Sequence, residues 1–200
     1  KGGCGFIPYP LFLYYQKMAC DLSAGRALPC KDVVGGITAV YFTNYGDIGT
    51  VTVSADDEVS DMSGTFSAYK YDLKGDSSFE QAVNVSRATG TTFYEQTLTL
   101  TLTKLSKEDN KQLKLLAYGR PQVVVVDYNG NAFLMGLENG ADASAGTIST
   151  GTAMGDLSGY TMTLVAQEKL PANFISGATD ASPYAGMSSA TDTIVVGTNS

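Results

Sequence analysis

The chain has 200 residues and a hydrophobic fraction of 44%, which is enough for one domain with a buried core. It contains no His, and this excludes a Ser-His-Asp triad, a Cys-His pair and a His-ligated zinc site. The formal net charge of −7 argues against a basic surface that grips nucleic acid.

The first 32 residues are predicted to form an arm in front of the folded domain. Residues 5–15 are apolar and aromatic, but two prolines interrupt them and no small-residue cleavage site follows, so they make a poor signal peptide. Met18 begins a stretch of more ordinary composition. We therefore expect either that Met18 is the natural start or that residues 1–17 are an arm cut from a longer precursor. No segment has the ~20 apolar residues that a membrane span needs.

The cysteines are odd in number and crowd the beginning of the chain. None belongs to a Cys-x-x-Cys pair, and this pattern predicts free thiols in a reducing cytoplasm. A bridge between the second and the third cysteine is possible, but nothing in the spacing indicates it. The three residues are Cys4, Cys20 and Cys30.

Five strands are predicted in the first half of the chain, from β-branched and aromatic residues that alternate with polar ones. The longest lies within residues 93–105, where Thr and Leu alternate over residues 97–103. At ~3.3 Å per residue this run spans about 43 Å, whereas the usual strand has about 5–6 residues. The other four are residues 33–44 (beginning after Gly35-Gly36), 50–54, 65–73 and 77–88.

Turn signals and an acidic cluster separate these strands. The sequence Lys74-Gly75-Asp76 predicts a turn that folds residues 65–88 into one long hairpin, and Thr89-Gly90 leads into the long strand. The acidic cluster is interpreted as a solvated loop, because it lacks the ligand spacing and the terminal Glu of a helix-flanked calcium loop. Its members are Asp56, Asp57, Glu58 and Asp61.

One helix of about 12 residues is predicted after Ser106. Ser106 can cap the first turn, and two acidic residues in that turn face the positive end of the helix dipole. Gly119 suits the position after the last turn, and Pro121 prevents continuation. Leu113 and Leu116 supply a modest apolar stripe.

A β-hairpin is predicted directly after the helix. Residues 122–128 form a continuous apolar run, as expected for a strand that is covered on both faces. Asn129-Gly130 is a strong signal for a tight turn, and residues 131–137 supply the return strand.

The last part of the chain contains one more strand and a tail of small residues. Residues 159–167 alternate apolar residues with Thr and Val, which predicts a strand. Residues 176–200 are rich in Ser, Thr, Ala and Gly and end in a short β-like piece, residues 193–196. Such a tail is mobile when alone, so an ordered tail is expected to lie on another surface, a neighbouring subunit for instance.

This order of elements predicts a mainly β fold, a β-sandwich or open barrel with one α-helix packed on it and with extended N- and C-terminal arms. We divide the chain into an N-terminal arm (residues 1–32), a β domain (residues 33–175) and a Ser/Thr/Gly-rich C-terminal arm (residues 176–200). The sequence shows no internal repeat and no boundary for a second domain.

No pattern predicts a catalytic, cofactor-binding or metal-binding residue. Asp127, Asn129 and Asn131 resemble a cation loop, but the Asn-Gly turn accounts for them. The glycines between residues 146 and 159 lack a Walker-type or Gly-x-Gly-x-x-Gly element, which leaves phosphate binding unsupported. Six tyrosines could stack on bases, but without neighbouring Arg and Lys we favour sheet packing or subunit contacts. These are Tyr41, Tyr45, Tyr69, Tyr71, Tyr94 and Tyr128.

Four features together resemble the tail tube proteins of tailed phages. They are the long alternating strand, the helix after Ser106, the hairpin VVVVDYNGNAFLMG and the ending GDLSGYTMTLVAQEKLPANF. The resemblance covers about residues 33–175 and rests on pattern and element order. A ring or tail-hub protein with a tube-like fold in the same virion would look alike, and the tubes of contractile injection systems share the fold class.

The resemblance implies a non-enzymatic virion protein without a cofactor, assembled in the cytoplasm of the host bacterium. Its copies would form rings, usually hexameric, and the rings would stack into a tube whose joined sheets surround a lumen. Its partners would be further copies, other tail proteins, and DNA that passes without specific binding past an acidic wall. A loop or hairpin that reaches the next ring is also implied, with residues 46–64 or 65–88 as candidates.

Two other functions stay open at this stage. A capsid-decorating or head–tail connector protein would bind a preformed surface of the virion rather than build a tube. A carbohydrate-acting β-sandwich enzyme would need paired carboxylates, for which Asp57 and Glu58 are the candidates.

Overall fold

The computed structural model describes residues 24–179 and 181–197. The predictions for the apolar stretch of residues 5–15, for Met18 and for Cys4 and Cys20 lie outside this part. The chain divides into two units, Lys1–Asp32 and Val33–Ser200. In the first unit, residues 24–32 are exposed, include the exposed Cys30 and have no regular secondary structure.

The described part of the second unit contains twelve strands and one helix, which confirms the mainly β fold with one helix. The strands are β1 (Ile37–Thr43), β2 (Val51–Val53), β3 (Glu58–Met62), β4 (Gly64–Asp72), β5 (Ser78–Ser86), β6 (Thr91–Thr103), β7 (Gln122–Asp127), β8 (Ala132–Met135), β9 (Asp142–Ser149), β10 (Gly159–Glu168), β11 (Asn173–Ile175) and β12 (Ala190–Val196). The helix α1 (Lys107–Tyr118) lies between β6 and β7 in the chain.

The strands form an eight-stranded and a four-stranded sheet. Their orders are β12-β4-β1-β7-β8-β11-β3-β2 and β5-β6-β10-β9. In the larger sheet β3 and β4 stand near opposite ends of this order, although only Ser63 separates them in the chain. Because one linking residue reaches only about 7 Å, the sheet must curl back on itself as an open barrel.

Gly64 makes the sharp bend between β3 and β4 possible. Its φ is +110°, and a Cβ at this position would lie 2.7 Å from the Asp47 carbonyl oxygen. Both conditions favour Gly over every other residue, because L side chains rarely adopt this backbone conformation. The bend lets one continuous segment serve as β3 at one end of the curl and as β4 at the other.

Two hydrophobic cores lie on the two faces of the larger sheet. The first fills the space between the two sheets and includes Leu98 and Leu164 of the smaller sheet with Val123 and Val125 of β7. The second lies inside the curl and includes Val124 of the same strand. This confirms for residues 122–125 the prediction that the apolar run of residues 122–128 is covered on both faces, whereas Tyr128 at its end is exposed.

Helix α1 begins and ends where the sequence predicts. The Ser106 hydroxyl oxygen accepts a hydrogen bond from the Asp109 backbone N–H at 3.0 Å, and Leu113 is buried in the first core. Gly119 ends the helix with an extended backbone (φ −90°) instead of a left-handed one, and its N–H donates to the Leu115 carbonyl. The helix thus covers part of the first core.

The predicted hairpin of residues 65–88 is wrong. Strand β4 pairs with β1 and β12 in the larger sheet, whereas β5 pairs with β6 in the smaller one. The turn at Gly75 (φ +71°) and Asp76 (φ +46°) exists, but it carries the chain across the first core, where Leu73 is buried. The hairpin is instead formed by β5 and β6.

The acidic cluster is only partly a loop. Glu58 and Asp61 belong to β3, so the interpretation of the whole cluster as a loop is wrong for these two residues. Val59 and Met62 of the same strand are fully buried in the second core, and β3 pairs with β2 and β11. Asp56 and Asp57 do lie in the turn before β3.

The C-terminal segment lies on its own chain, unlike the predicted position on a neighbour. Strand β12 pairs in parallel with β4 over its whole length. Just before it, Asp61 accepts hydrogen bonds from the backbone N–H and the hydroxyl of both Ser188 and Ser189, at 2.6–3.1 Å. The buried Tyr184 ring contacts the rings of Tyr41 and Phe66 edge-on.

Asp61→Asn is expected to loosen β12 at neutral pH. The hydrogen bonds from Ser189 and Ser188 lower the pKa of Asp61 from 3.8 to about 2, so the native state favours the charged carboxylate. A lowered native pKa contributes stability above the unfolded-state pKa and loses it as the pH falls towards 2. Hydrogen exchange of residues 190–196 should therefore be faster in the variant at pH 7, and the difference from wild type should vanish near pH 2.

The control for this prediction is Asp76→Asn, the same change on an exposed turn. It should leave the exchange of β12 unchanged at every pH. Equal exchange of β12 in wild type and Asp61→Asn at pH 7 would show that Asp61 does not hold the strand.

Candidate subunit interface

The smaller sheet has two long edges without a strand partner in the described part of the chain. They are β5 with nine residues and β9 with eight, and most residues of both strands are exposed. Proteins usually protect such edges with Lys, Pro, short strands or bulges. Neither edge contains Lys or Pro, and only a bulge at Ser144 interrupts β9. Helix α1 contacts β9, but neither edge has a strand on its outer side in the described part of the chain.

The outer face of the smaller sheet is covered with hydroxyl groups. The strand register places Thr147, Thr161 and Thr101 in one cross-strand row. The next row consists of Ala145, Thr163, Thr99 and Ser78. The opposite side of the same strands carries Leu98, Leu100 and Leu164, which are buried in the first core. The predicted Thr/Leu alternation of the long strand is thus confirmed.

The smaller sheet contains no Lys or Arg in any of its four strands. Its outer face carries carboxylates instead: Glu80, Glu95 and Asp142 flank the hydroxyl rows. The Gln167 side-chain amide donates to Glu95 at 3.1 Å on the same face. The face is therefore hydroxylated and negatively charged, and it offers no cation to a phosphate group.

A buried polar network fixes the beginning of the β9 edge. Glu168 is only 4% exposed, and its Oε1 accepts from the backbone N–H of Glu138 (3.1 Å) and Asn139 (2.8 Å). Burial raises the pKa of Glu168. Gln96 is also buried, and its Oε1 accepts from the Gly136 backbone N–H at 3.0 Å. These bonds attach the β8–β9 connection to β6 and β10 of the smaller sheet.

Sequence reasoning missed Gln96 and Glu168. Gln96 occupies an inward position of the long strand, where a polar residue among leucines was the available signal. Glu168 follows Ala166 in the inward phase of β10, so the strand alternation was the available signal. Only the fold shows that both side chains accept bonds from the same connection.

The residues around Gly130 form a closed turn. Asp127 Oδ1 accepts from the backbone N–H of Asn129 at 2.9 Å and of Asn131 at 2.7 Å, and Oδ2 accepts from both side-chain amides. In the described part of the chain, no group of three or more His, Cys, Asp or Glu side chains is arranged to hold a metal ion. The turn uses the Asp127 oxygens internally.

The six tyrosines do not form one surface. Tyr41 is buried in the second core and Tyr71 packs against the first, on the other face of the larger sheet. The central carbon of the Arg120 guanidinium lies 4.6 Å from the centre of the Tyr45 ring. The structure therefore distributes these rings between cores and separate surface positions.

Comparison with known proteins leaves the chain without an assigned family. No protein-family model, no curated protein and no solved structure matches it. Among the described residues, no helix combines the length and the apolar content that crossing a membrane requires.

Proposed function

We propose that the chain is a virion structural protein, a tail tube subunit that self-assembles into stacked hexameric rings around a channel for DNA. The observation that supports this most is the smaller sheet, which combines two unpaired edges with an outer face free of Lys and Arg. The resemblance in element order gives the class of protein, and the sheet gives a physical route to assembly.

In this proposal the edge β5 of one copy pairs with the edge β9 of the next. The two strands have similar lengths, nine and eight residues, and each pairs with only one other strand in the described part of the chain. Each new backbone hydrogen bond is worth about 1 kcal/mol, and closure of the ring leaves no smaller-sheet edge exposed. Six copies would join roughly 24 strands, and barrels of about 16–18 strands already leave an aqueous channel.

The hydroxylated, acidic face then lines the channel. DNA carries a high density of negative charge, and cationic side chains are what proteins use to hold it. A wall with Glu80, Glu95 and Asp142 but no cation repels the DNA, so that it slides without being retained. Further copies and other tail proteins are the lasting partners, in a particle assembled in the bacterial cytoplasm.

Electron microscopy of the pure protein, with sedimentation over a concentration series, tests this proposal. It predicts ring-shaped particles with a central hole that stack as the concentration rises. Particles that sediment as monomers at every concentration would contradict it.

A further inference from the structure

A groove of about 410 Å³ opens beside the base of β5. Its floor is aromatic: the ring centres of Phe79 and Phe133 are 6.0 Å apart, and those of Phe133 and Phe174 are 4.6 Å apart. Phe174 remains 48% exposed, although it is a large apolar side chain on a strand. The groove thus offers aromatic ring surface to a partner.

The rim of the groove is acidic. Asp56 and Asp57 line it, and Asp56 and Glu58 line a second hollow of about 360 Å³ that Phe174 also borders. No Lys or Arg lines either hollow. Aromatic faces beside carboxylates favour an Arg guanidinium, which stacks on rings and forms charge-assisted hydrogen bonds to carboxylates.

The tip of the β5–β6 hairpin carries a matching set of side chains. Arg87 is exposed in the turn after β5 and forms no ion pair within the described part of the chain. Val83 and Val85 are 57% and 69% exposed, and strand alternation places them on the same face as Phe79. Strand β10 ends at Glu168, opposite Tyr94, so the last residue pairs of the β5–β6 hairpin extend beyond the end of β10.

The tip cannot reach the groove of its own chain. Gln81 lines the groove, and Arg87 lies six residues further along, roughly 20 Å away at the rise of an extended strand. Pairing with β6 runs from Ser78 to Ser86 and keeps this segment straight. Arg87, Val83 and Val85 of the tip can therefore meet such a groove only in another molecule.

We propose that the hairpin tip of one copy docks in the aromatic, acidic groove of the next copy, with Arg87 against Asp56 and Phe174. The partner is a second copy of this chain, because the tip and the groove complement each other in charge and in apolar surface. This inference rests on the proposed function: the β5 and β9 edges join copies within a ring, and the tip–groove contact joins successive rings.

Two single charge reversals test the contact. Arg87→Glu places a carboxylate before an acidic rim, and Asp56→Arg places a cation before the Arg of the tip. Like charges facing each other disfavour association, so each variant should need about tenfold more protein to form stacks. Stack length by electron microscopy and sedimentation velocity at several concentrations give the readout.

Combining the two charge reversals distinguishes this contact from a general effect of net charge. The double variant Arg87→Glu with Asp56→Arg should regain wild-type stacking, because every tip then meets a groove of opposite charge. A mixture of preformed rings of one single variant with preformed rings of the other should also stack, in alternation, for the same reason. Lys111→Glu on the exposed surface of α1 changes the net charge by the same amount as Arg87→Glu and should leave stacking unchanged. Single variants that stack like wild type, or a mixture that fails to recover, would overturn the inference.

The design also distinguishes this inference from the proposed function. If the inference holds, the single variants still form single rings, since β5 and β9 are unchanged. If the wild type forms no ring at all, the proposed function fails, whereas the tip–groove contact still predicts concentration-dependent association that Arg87→Glu removes. If both single variants form neither rings nor stacks, the contact does not lie between successive rings.

Discussion

Substituting Pro at Thr147 and, separately, at Ile148 is expected to give one variant that folds normally and forms no rings. Both residues are paired to β10, opposite Thr161 and Tyr160. In an antiparallel pair, consecutive residues point their N–H groups alternately towards the partner and away from it. One Pro therefore removes a bond inside the subunit, and the other removes only an outward N–H.

The variant that loses the outward N–H tests the β9 edge directly. Its pyrrolidine ring also blocks the approach of a neighbouring strand, and Pro is tolerated in sheets mainly at such edges. Each interface of a ring would lose a hydrogen bond worth about 1 kcal/mol and the close fit of the strands. Because the loss recurs at every interface, we expect rings to disappear while the circular dichroism spectrum stays that of the wild type.

The pair of variants contains its own control. The variant that breaks the β9–β10 ladder should unfold at lower denaturant concentration, and this identifies which N–H points inwards. If the normally folded variant assembles at the same protein concentration as wild type, copies do not pair through β9.

Leu98→Ala should lower the free energy of unfolding by about 2–5 kcal/mol. Leu98 is completely buried between the two sheets, directly opposite Phe79 on β5. Truncation removes apolar contacts and leaves a cavity that the two sheets cannot close without moving together. Urea unfolding of both proteins, at a concentration below that of assembly, measures the loss.

Leu115→Ala is the matched control for this prediction. It makes the same chemical change in α1, where Leu115 is 55% exposed, and should change the free energy of unfolding by no more than about 0.5 kcal/mol. Equal effects of the two substitutions would show that Leu98 is not in a closed core between the sheets.

Strong periodicity and unambiguous turn chemistry made part of this fold predictable. The long strand β6, the helix capped by Ser106 and the hairpin around Gly130 all follow from local patterns. Strand β9 was missed because its sequence, DASAGTIS, consists mainly of small residues with little β propensity. It is a strand because β10 offers it a partner, which no local pattern reveals.

Tertiary contacts, not turn signals, decided which strands pair. The turn at Gly75 is real, yet Leu73 is buried between the sheets and sends β4 and β5 into different layers. The tail is a comparable case: the weak β signal of residues 193–196 marked β12, but its place beside β4 depends on Asp61 and Tyr184.

The candidate interface was predictable in its chemistry but not in its position. Alternating Thr and Leu indicated one hydroxylated and one buried face, and the structure shows both on β6. Which strands form the sheet edges depends on the pairing of the whole chain. The aromatic groove is likewise invisible in sequence, since Phe79, Phe133 and Phe174 belong to three strands that are far apart along the chain.

An image reconstruction of the assembled protein, at a resolution that traces side chains, tests directly whether copies join through the edges β5 and β9. Assembly as a tail tube predicts a ring in which β5 of each copy is paired with β9 of its neighbour, with Thr99 and Thr163 facing a central channel. A ring whose copies meet through other surfaces, with both of these edges open to solvent, would contradict it.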